Sequence, residues 1–209
     1  MVETPRRTQA ERKGATRAAL LRSTIACILE QGYARTTTTE ITKHAGVSQG
    51  SLFQHFPTKS ALIAAAAEQL FAGTIEQFSA ALANSTEDEA PLVLALRRLW
   101  EVFCSPQLAV VYRLYAEAPV DSELMAALVP VVTKHNSNVR ARALALMPEL
   151  AASPENRAIF GALLYAMQGL SVQRAVYVDA AEEALILKQF EVLAHTIFPA
   201  PPKGFASHV

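Results

Sequence analysis

Cysteine and glycine are scarce in this chain: two and eight of 209 residues. Cys27 and Cys104 lie far apart, each inside an apolar helical pattern. That predicts two buried free thiols rather than a disulfide framework. No alternating run of β-branched residues marks a strand, and with Ala and Leu dominant the composition points to helix. No run of about 18 apolar residues is available to span a membrane. No apolar segment follows the basic, polar start, so a secretory signal is not expected. Charged residues make up only 18 % and apolar ones 51 %, which argues for a real core rather than disorder. The expectation is a soluble, cytoplasmic protein.

Catalytic signatures are equally absent. There is no glycine-rich phosphate loop, no zinc-ligand spacing and no nucleophile motif. His44, His55, His135, His195 and His208 are scattered, and no pair has the helical spacing of metal ligands. No catalytic residue, metal or cofactor is therefore expected, and an enzyme is not.

What the chain does have is an uneven charge. Residues 1–60 carry nine Lys and Arg against four acids; the remainder carries ten against fifteen, so the total is neutral. A basic first third on an acidic remainder suits a local nucleic-acid surface.

Hydrophobic spacing and cap signals divide the chain into about nine helices. Residues 1–12 lack periodicity and read as a flexible basic arm. From about Lys13, Ala18, Leu21, Ile25, Ile28 and Leu29 share one face until Gly32. Thr37 with Glu40 forms a capping box that opens a second helix, broken by Gly46. Ser48 caps a short third helix that ends at Phe56-Pro57, with Val47 and Leu52 spaced as a hydrophobic staple. Thr58 caps the fourth. A polar loop at 84–89 precedes a fifth helix to Cys104, and a sixth follows, stopped by Pro119. Asp121 caps a seventh reaching Met147, in which Pro130 predicts a kink or break. Ser153-Pro154-Glu155 starts an eighth, to about Tyr177. Asp179 and Glu182 start the ninth, and the tail 199–209 reads as loose.

The stretch from Gly32 to Ile63 carries the chemistry. Two short helices joined by Ala45-Gly46-Val47-Ser48 are a helix-turn-helix, whose second helix enters the major groove. The third helix has a thin core side, Leu52 and Phe56, and a first turn of Gln49, Gly50 and Ser51. Gln49 can pair with adenine, Gly50 permits close approach, and Ser51 with the free N–H groups suits a phosphate.

These residues resemble the DNA-binding domain of the TetR family. The resemblance rests on Gly32-Tyr33, Thr37-Thr38, Glu40-Ile41, Ala45-Gly46-Val47-Ser48, Ser51-Leu52-Phe53, His55-Phe56 and Lys59, and covers residues 13–65. It implies an all-α chain: a helix-turn-helix domain over 13–60 and a helical regulatory and dimerisation domain over 61–198. It implies DNA contacts from Thr38, Thr39, Ser48, Gln49, Gly50, Ser51, Phe53, His55 and Lys59. Lys59 and Thr38 would meet phosphate; Thr39 and Gln49 would read bases. Two positions depart from the pattern. Phe53 replaces a tyrosine, exchanging a phosphate contact for an apolar one, and Thr42 replaces an alanine at what reads as the helix surface.

The resemblance further implies a homodimer through the last two helices and a ligand cavity. Small residues on the eighth helix favour close helix approach. The interface expected is Phe160, Leu164, Met167, Gly169, Phe190, Leu193 and Ile197. Trp100, Phe103, Tyr112, Tyr115, Met125, Met147, Tyr165 and Gln168 are candidates for a cavity that takes a small apolar or amphipathic effector, although such residues fill any helical core. The function expected is a ligand-responsive repressor, released from a palindromic operator by that effector. An activator or ligand-independent regulator of the same fold stays open, as does a helical ligand carrier without DNA binding.

Overall fold

The computed structural model describes residues 8–83, 91–146 and 153–197. Among them are nine α-helices, one 3-10 turn and no strand. They are α1 (Gln9–Gln31), α2 (Thr38–Ala45), α3 (Gln49–His55), α4 (Lys59–Ala83), α5 (Pro91–Phe103), α6 (Pro106–Glu117), the 3-10 turn (Ala118–Val120), α7 (Ser122–Leu146), α8 (Pro154–Arg174) and α9 (Ala180–Ile197). The loop at 84–89, Met147, the tail 199–209 and the first seven residues of the expected arm lie outside the described residues.

Helix α1 begins earlier than its apolar spacing predicts. Residues 9–12, expected in a loose arm, form its first turn. The cause is a capping box: Glu11 N–H donates to Thr8 Oγ1 at 3.2 Å, and Thr8 N–H to Glu11 Oε2 at 2.6 Å. At the other end Gly32 takes φ +81°, a value L side chains rarely adopt. The carbonyls of Ile28 and Leu29 accept hydrogen bonds from Arg113 Nη1 on α6, at 2.5 and 2.8 Å.

The chain divides into two compact units. The first comprises the described residues up to Gly73 and Pro106–Ser137. It therefore holds α1–α3, much of α4, α6, the 3-10 turn and the first part of α7. Its core joins Leu20, Leu21 and Cys27 of α1, Ile41 of α2, Leu52 of α3, Phe56, and Leu62 and Ala66 of α4. Val47 packs against this cluster, as a staple residue should. Each fully buried Leu or Ile contributes roughly 1.5–3 kcal/mol relative to exposure. Val110, Val111 and Leu114 of α6 and Leu124 and Leu128 of α7 are buried as well.

The second unit comprises Thr74–Ser105 and the described residues from Asn138 onward. Its core is Leu96, Met167 and Ala194, flanked by Leu99, Trp100, Phe103 and Phe190. Arg97 pairs with Glu191 at 3.2 Å and Arg174 with Glu183 at 3.5 Å.

α6 ends at Glu117, ahead of Pro119 as expected, and Pro119 sits in the 3-10 turn that follows. Of the kink or break expected at Pro130, the break is absent, and α7 runs through it. α8 ends at Arg174, not Tyr177, because the Ala175 N–H folds back onto the Gln173 and Val172 carbonyls. Both cysteines are free, Cys27 buried and Cys104 half-buried. No helix among the described residues is long and apolar enough to cross a membrane.

Candidate nucleic-acid interface

Local chemistry sets the geometry of α2, the turn and α3. Thr37 Oγ1 accepts from the Glu40 N–H at 3.2 Å and starts α2. Gly46, at φ +67° and ψ +33°, ends it in the left-handed conformation. The Val47 N–H then donates to the Thr42 carbonyl at 3.1 Å, closing a tight turn. Ser48 Oγ accepts from the Ser51 N–H at 3.1 Å and starts α3. Thr42 is not at the surface, as expected above: it is 5 % exposed, and its hydroxyl donates to the Thr39 carbonyl at 3.0 Å. That inward bond lets the threonine stand where an apolar residue would fit.

Helix α3 turns Leu52 and, at its end, Phe56 into the core. Its opposite side keeps Gly50, Phe53 and Gln54 exposed, and Phe53 leaves 50 % of its surface to solvent. Gln49 Nε2 donates to Thr39 Oγ1 at 3.1 Å, so the two expected base readers meet across the turn. A Cβ at Gly50 would find only Ser48 Oγ, at 3.9 Å. The subunit has room for a side chain there. Thr38 and Ser51 are half-buried, and Thr39 and Ser48 are exposed.

Lys59 opens α4, and its ammonium lies 4.3 Å from the centroid of the Tyr33 ring. Burial pushes its pKa down, against the pull of Asp121 and Glu117. The Tyr33 hydroxyl donates to Asp121 Oδ2, while Asp121 Oδ1 caps α7 by accepting from the Leu124 N–H at 2.9 Å. Burial, then the Asp121 carboxylate, raises the Tyr33 phenol well above its usual range. His55 is half-buried, its ring 6.3 Å from that of Phe56. Burial, then Lys13 and Arg17, lowers its pKa.

All nine expected DNA-contact residues thus fall on α2, α3, their caps and the first residue of α4. Asp121, expected only as the cap of α7, and Arg113 of α6 hold the α1–α2 corner, a role the sequence does not reveal. No local signal reveals contacts between residues more than 80 positions apart. Lys13 and Arg17, counted in the basic first third, lie on α1.

Of the expected ligand residues, Trp100 and Phe103 pack against one cluster of the second unit. In the second unit an open cleft of about 590 Å³ is lined by Leu96, Arg97, Trp100, Glu101, Met167, Ala184, Leu187, Lys188, Phe190 and Glu191. Trp100 is the one candidate on that wall. Phe103 packs in the adjoining cluster and Gln168 is half-buried. Tyr112, Tyr115 and Met125 belong to the other unit, and Tyr165 is 69 % exposed. Among the described residues no three His, Cys, Asp or Glu side chains are grouped to hold a metal ion.

Of the residues expected at the interface, Met167 is 1 % exposed and Phe190 packs against its cluster in the core of the second unit. Phe160 and Leu164 are half-buried, Gly169 and Leu193 are exposed, and the side chain of Ile197 lies outside the described ones. The exposed apolar side chains on these helices are Tyr165 and Val172 of α8 and Leu185, Val192 and Leu193 of α9.

Comparison with known proteins agrees with this architecture. Residues 20–66 match the family model described as bacterial regulatory proteins, tetR family. An HTH-type transcriptional regulator of Mycobacterium tuberculosis strain H37Rv is 36 % identical over 140 residues, covering 67 % of this chain and 72 % of the relative. The HTH-type transcriptional regulator CymR of Pseudomonas putida is 32 % identical over 119 residues, 57 % of this chain and 59 % of CymR. Among solved structures, the multidrug binding protein EbrR complexed with ethidium superposes with a TM-score of 0.65 at 20 % identity, over 88 % of this chain and 99 % of EbrR. A transcriptional regulator of Pseudomonas aeruginosa PAO1 superposes with a TM-score of 0.68 at 19 % identity, over 92 % of this chain and 96 % of that one. With its helix-turn-helix, its all-helical fold and relatives of this identity and coverage, the chain belongs to the TetR family of HTH-type transcriptional regulators.

Proposed function

We propose that this regulator is a ligand-responsive repressor. It binds a near-palindromic operator as a homodimer and is released by a small apolar or amphipathic effector. The observation that carries the DNA half is the outward side of α3. Gly50 and Phe53 are exposed there, and the space beside Gly50 is not needed by the subunit's packing. A side left exposed among the described residues, on a helix held by two caps and a core, suits insertion into a groove. In this reading Thr38, Ser51 and Lys59 meet phosphate, Thr39 and Gln49 read bases, and Phe53 offers an apolar contact to a thymine methyl.

The effector half is supported by the cleft. Leu96, Trp100, Met167, Leu187 and Phe190 give it apolar walls, and Arg97, Glu101, Lys188 and Glu191 supply both signs of charge. That lining suits a flat apolar molecule carrying a polar or charged group. Release follows when the effector binds better to a state that DNA does not select.

The test is to pass fragmented genomic DNA over the purified protein at moderate salt and sequence what is retained. Enrichment of a near-palindrome, with affinity falling steeply in salt, is the expected result. Retention with no enriched motif would overturn the operator. Retained complexes that no apolar cation or neutral aromatic from a screening panel releases would overturn the effector.

A further inference from the structure

Helix α1 carries a segment whose purpose the core does not explain. From Gln9 to Ala15 every residue is exposed, and the first buried side chain is Leu20. A capping box still holds this extension helical. Lys13 and Arg17 stand one turn apart on it, on the same face. Neither pairs with an acid among the described residues. Like charges at this spacing repel, so the arrangement is unfavourable until an anion joins it.

The place of these two bases is defined. The Arg17 guanidinium lies over the Phe56 ring, 5.3 Å from its centroid, at the C-terminal end of α3. The His55 ring sits beside the same phenylalanine. Lys13 and Arg17 are near enough to His55 to lower its pKa, which puts all three groups in one neighbourhood.

We infer that Lys13, Arg17 and His55 form a phosphate clamp that grips the sugar-phosphate backbone flanking the groove α3 enters. The clamp rests on the DNA-binding reading above and extends it beyond the helix-turn-helix. Arg17 is the fixed member, because stacking on Phe56 orients its donors. Lys13 is the mobile member, and His55 adds an N–H donor. The ligand is the phosphodiester itself, so the clamp adds affinity and register but no base preference.

The experiment compares full-length wild type with Lys13→Gln/Arg17→Gln and with Arg17→Lys. Each binds two 40-bp duplexes, one a retained genomic fragment and one of random sequence, across a salt series. The double variant is expected to lose affinity on both duplexes alike. Its log-log salt slope should be shallower by about 0.9 for each phosphate contact removed. Arg17→Lys keeps the charge and should keep the slope. The substituted side chains are exposed, so circular dichroism melts and sedimentation should not change. Weaker binding with an unchanged slope would mean that the pair only supports the fold of the domain, and the clamp would be refuted. Unchanged affinity and slope would refute it too. Wild type with no salt-dependent duplex binding would instead sink the DNA-binding reading, and the clamp with it.

Discussion

The Tyr33 hydroxyl donates to Asp121 Oδ2, tying the corner after α1 to the residue that caps α7. The same ring carries the Lys59 ammonium on its face. One side chain thus joins a candidate phosphate contact to a carboxylate distant in sequence. The hydrogen bond from Tyr33 is also the leading reason that the Asp121 carboxyl is held below its usual range.

Tyr33→Phe removes this bond and keeps the ring under Lys59. A carboxyl with a depressed folded pKa stabilises the fold above its unfolded value, about 3.9. That stabilisation is lost as pH falls through the lower folded value. The variant should therefore melt below wild type at pH 7, and the gap should close under acid. Melts by circular dichroism across that range decide it; a gap that is constant with pH would mean that the bond does not set the Asp121 titration.

Lys59 and Gln49 should fail in different ways. Lys59→Ala should weaken binding to every duplex alike and make the salt slope shallower by about one per subunit. Gln49→Ala should cost about 1–3 kcal/mol at one base position in each half-site and relax the preference there. Binding titrations on a panel of single-base variants separate the two. A loss spread evenly over the panel would show that Gln49, held by Thr39 at 3.1 Å, only positions α3.

The helix-turn-helix was legible because its signals are local. The Thr37 cap, the left-handed Gly46 and the Ser48 cap each act within four residues. The start of α1 was missed because Thr8 and Glu11 stand in a polar stretch with no apolar period. Leu163 and Met167 of α8 face the subunit's core, while Tyr165 and Val172 are exposed on the same helix. A helix that is apolar on two sides does not reveal in sequence which side its own subunit buries. The cleft was out of reach for a related reason. Its charged residues Lys188 and Glu191 come from α9, far along the chain from Arg97 and Trp100 of α5, and only folding brings the two pairs together.

His135 of α7 lies flat on Phe71 of α4, with centroids 3.8 Å apart. Its Nδ1 is buried with no hydrogen-bond partner among the described residues. Burial pushes its pKa down to about 4. The folded value lies below the unfolded value of about 6.5, so the fold favours the neutral ring. Stability is full above about pH 6.5 and falls as pH drops toward 4, by up to about 3 kcal/mol. His135→Leu should abolish this loss and remove the unpaired nitrogen. Urea midpoints at pH 7 and pH 5 test it: wild type should shift more than the variant, and equal shifts would refute the assignment.

Assembly is the last point at issue, and the exposed side of α8 decides where to look. Gly169 is exposed there, between Tyr165 and Val172, and a Cβ added to it would meet nothing within 4 Å in its own subunit. Glycine inside a helix costs about 1 kcal/mol relative to alanine, so this position has no local reason to lack a side chain. Close approach by another helix supplies one. Leu185, Val192 and Leu193 leave α9 apolar and exposed as well. A single helix-turn-helix binds weakly, whereas two on a rigid dimer gain through effective concentration. Their half-sites then fall about 34–36 Å apart, or at a multiple of this. Gly169→Arg fits the isolated subunit, so it should yield a folded monomer with sharply reduced operator affinity. Gly169→Ala is the control and should remain a dimer. Sedimentation and a binding titration on the same samples read both properties. An arginine variant that sediments as a dimer and keeps its affinity would place the interface elsewhere.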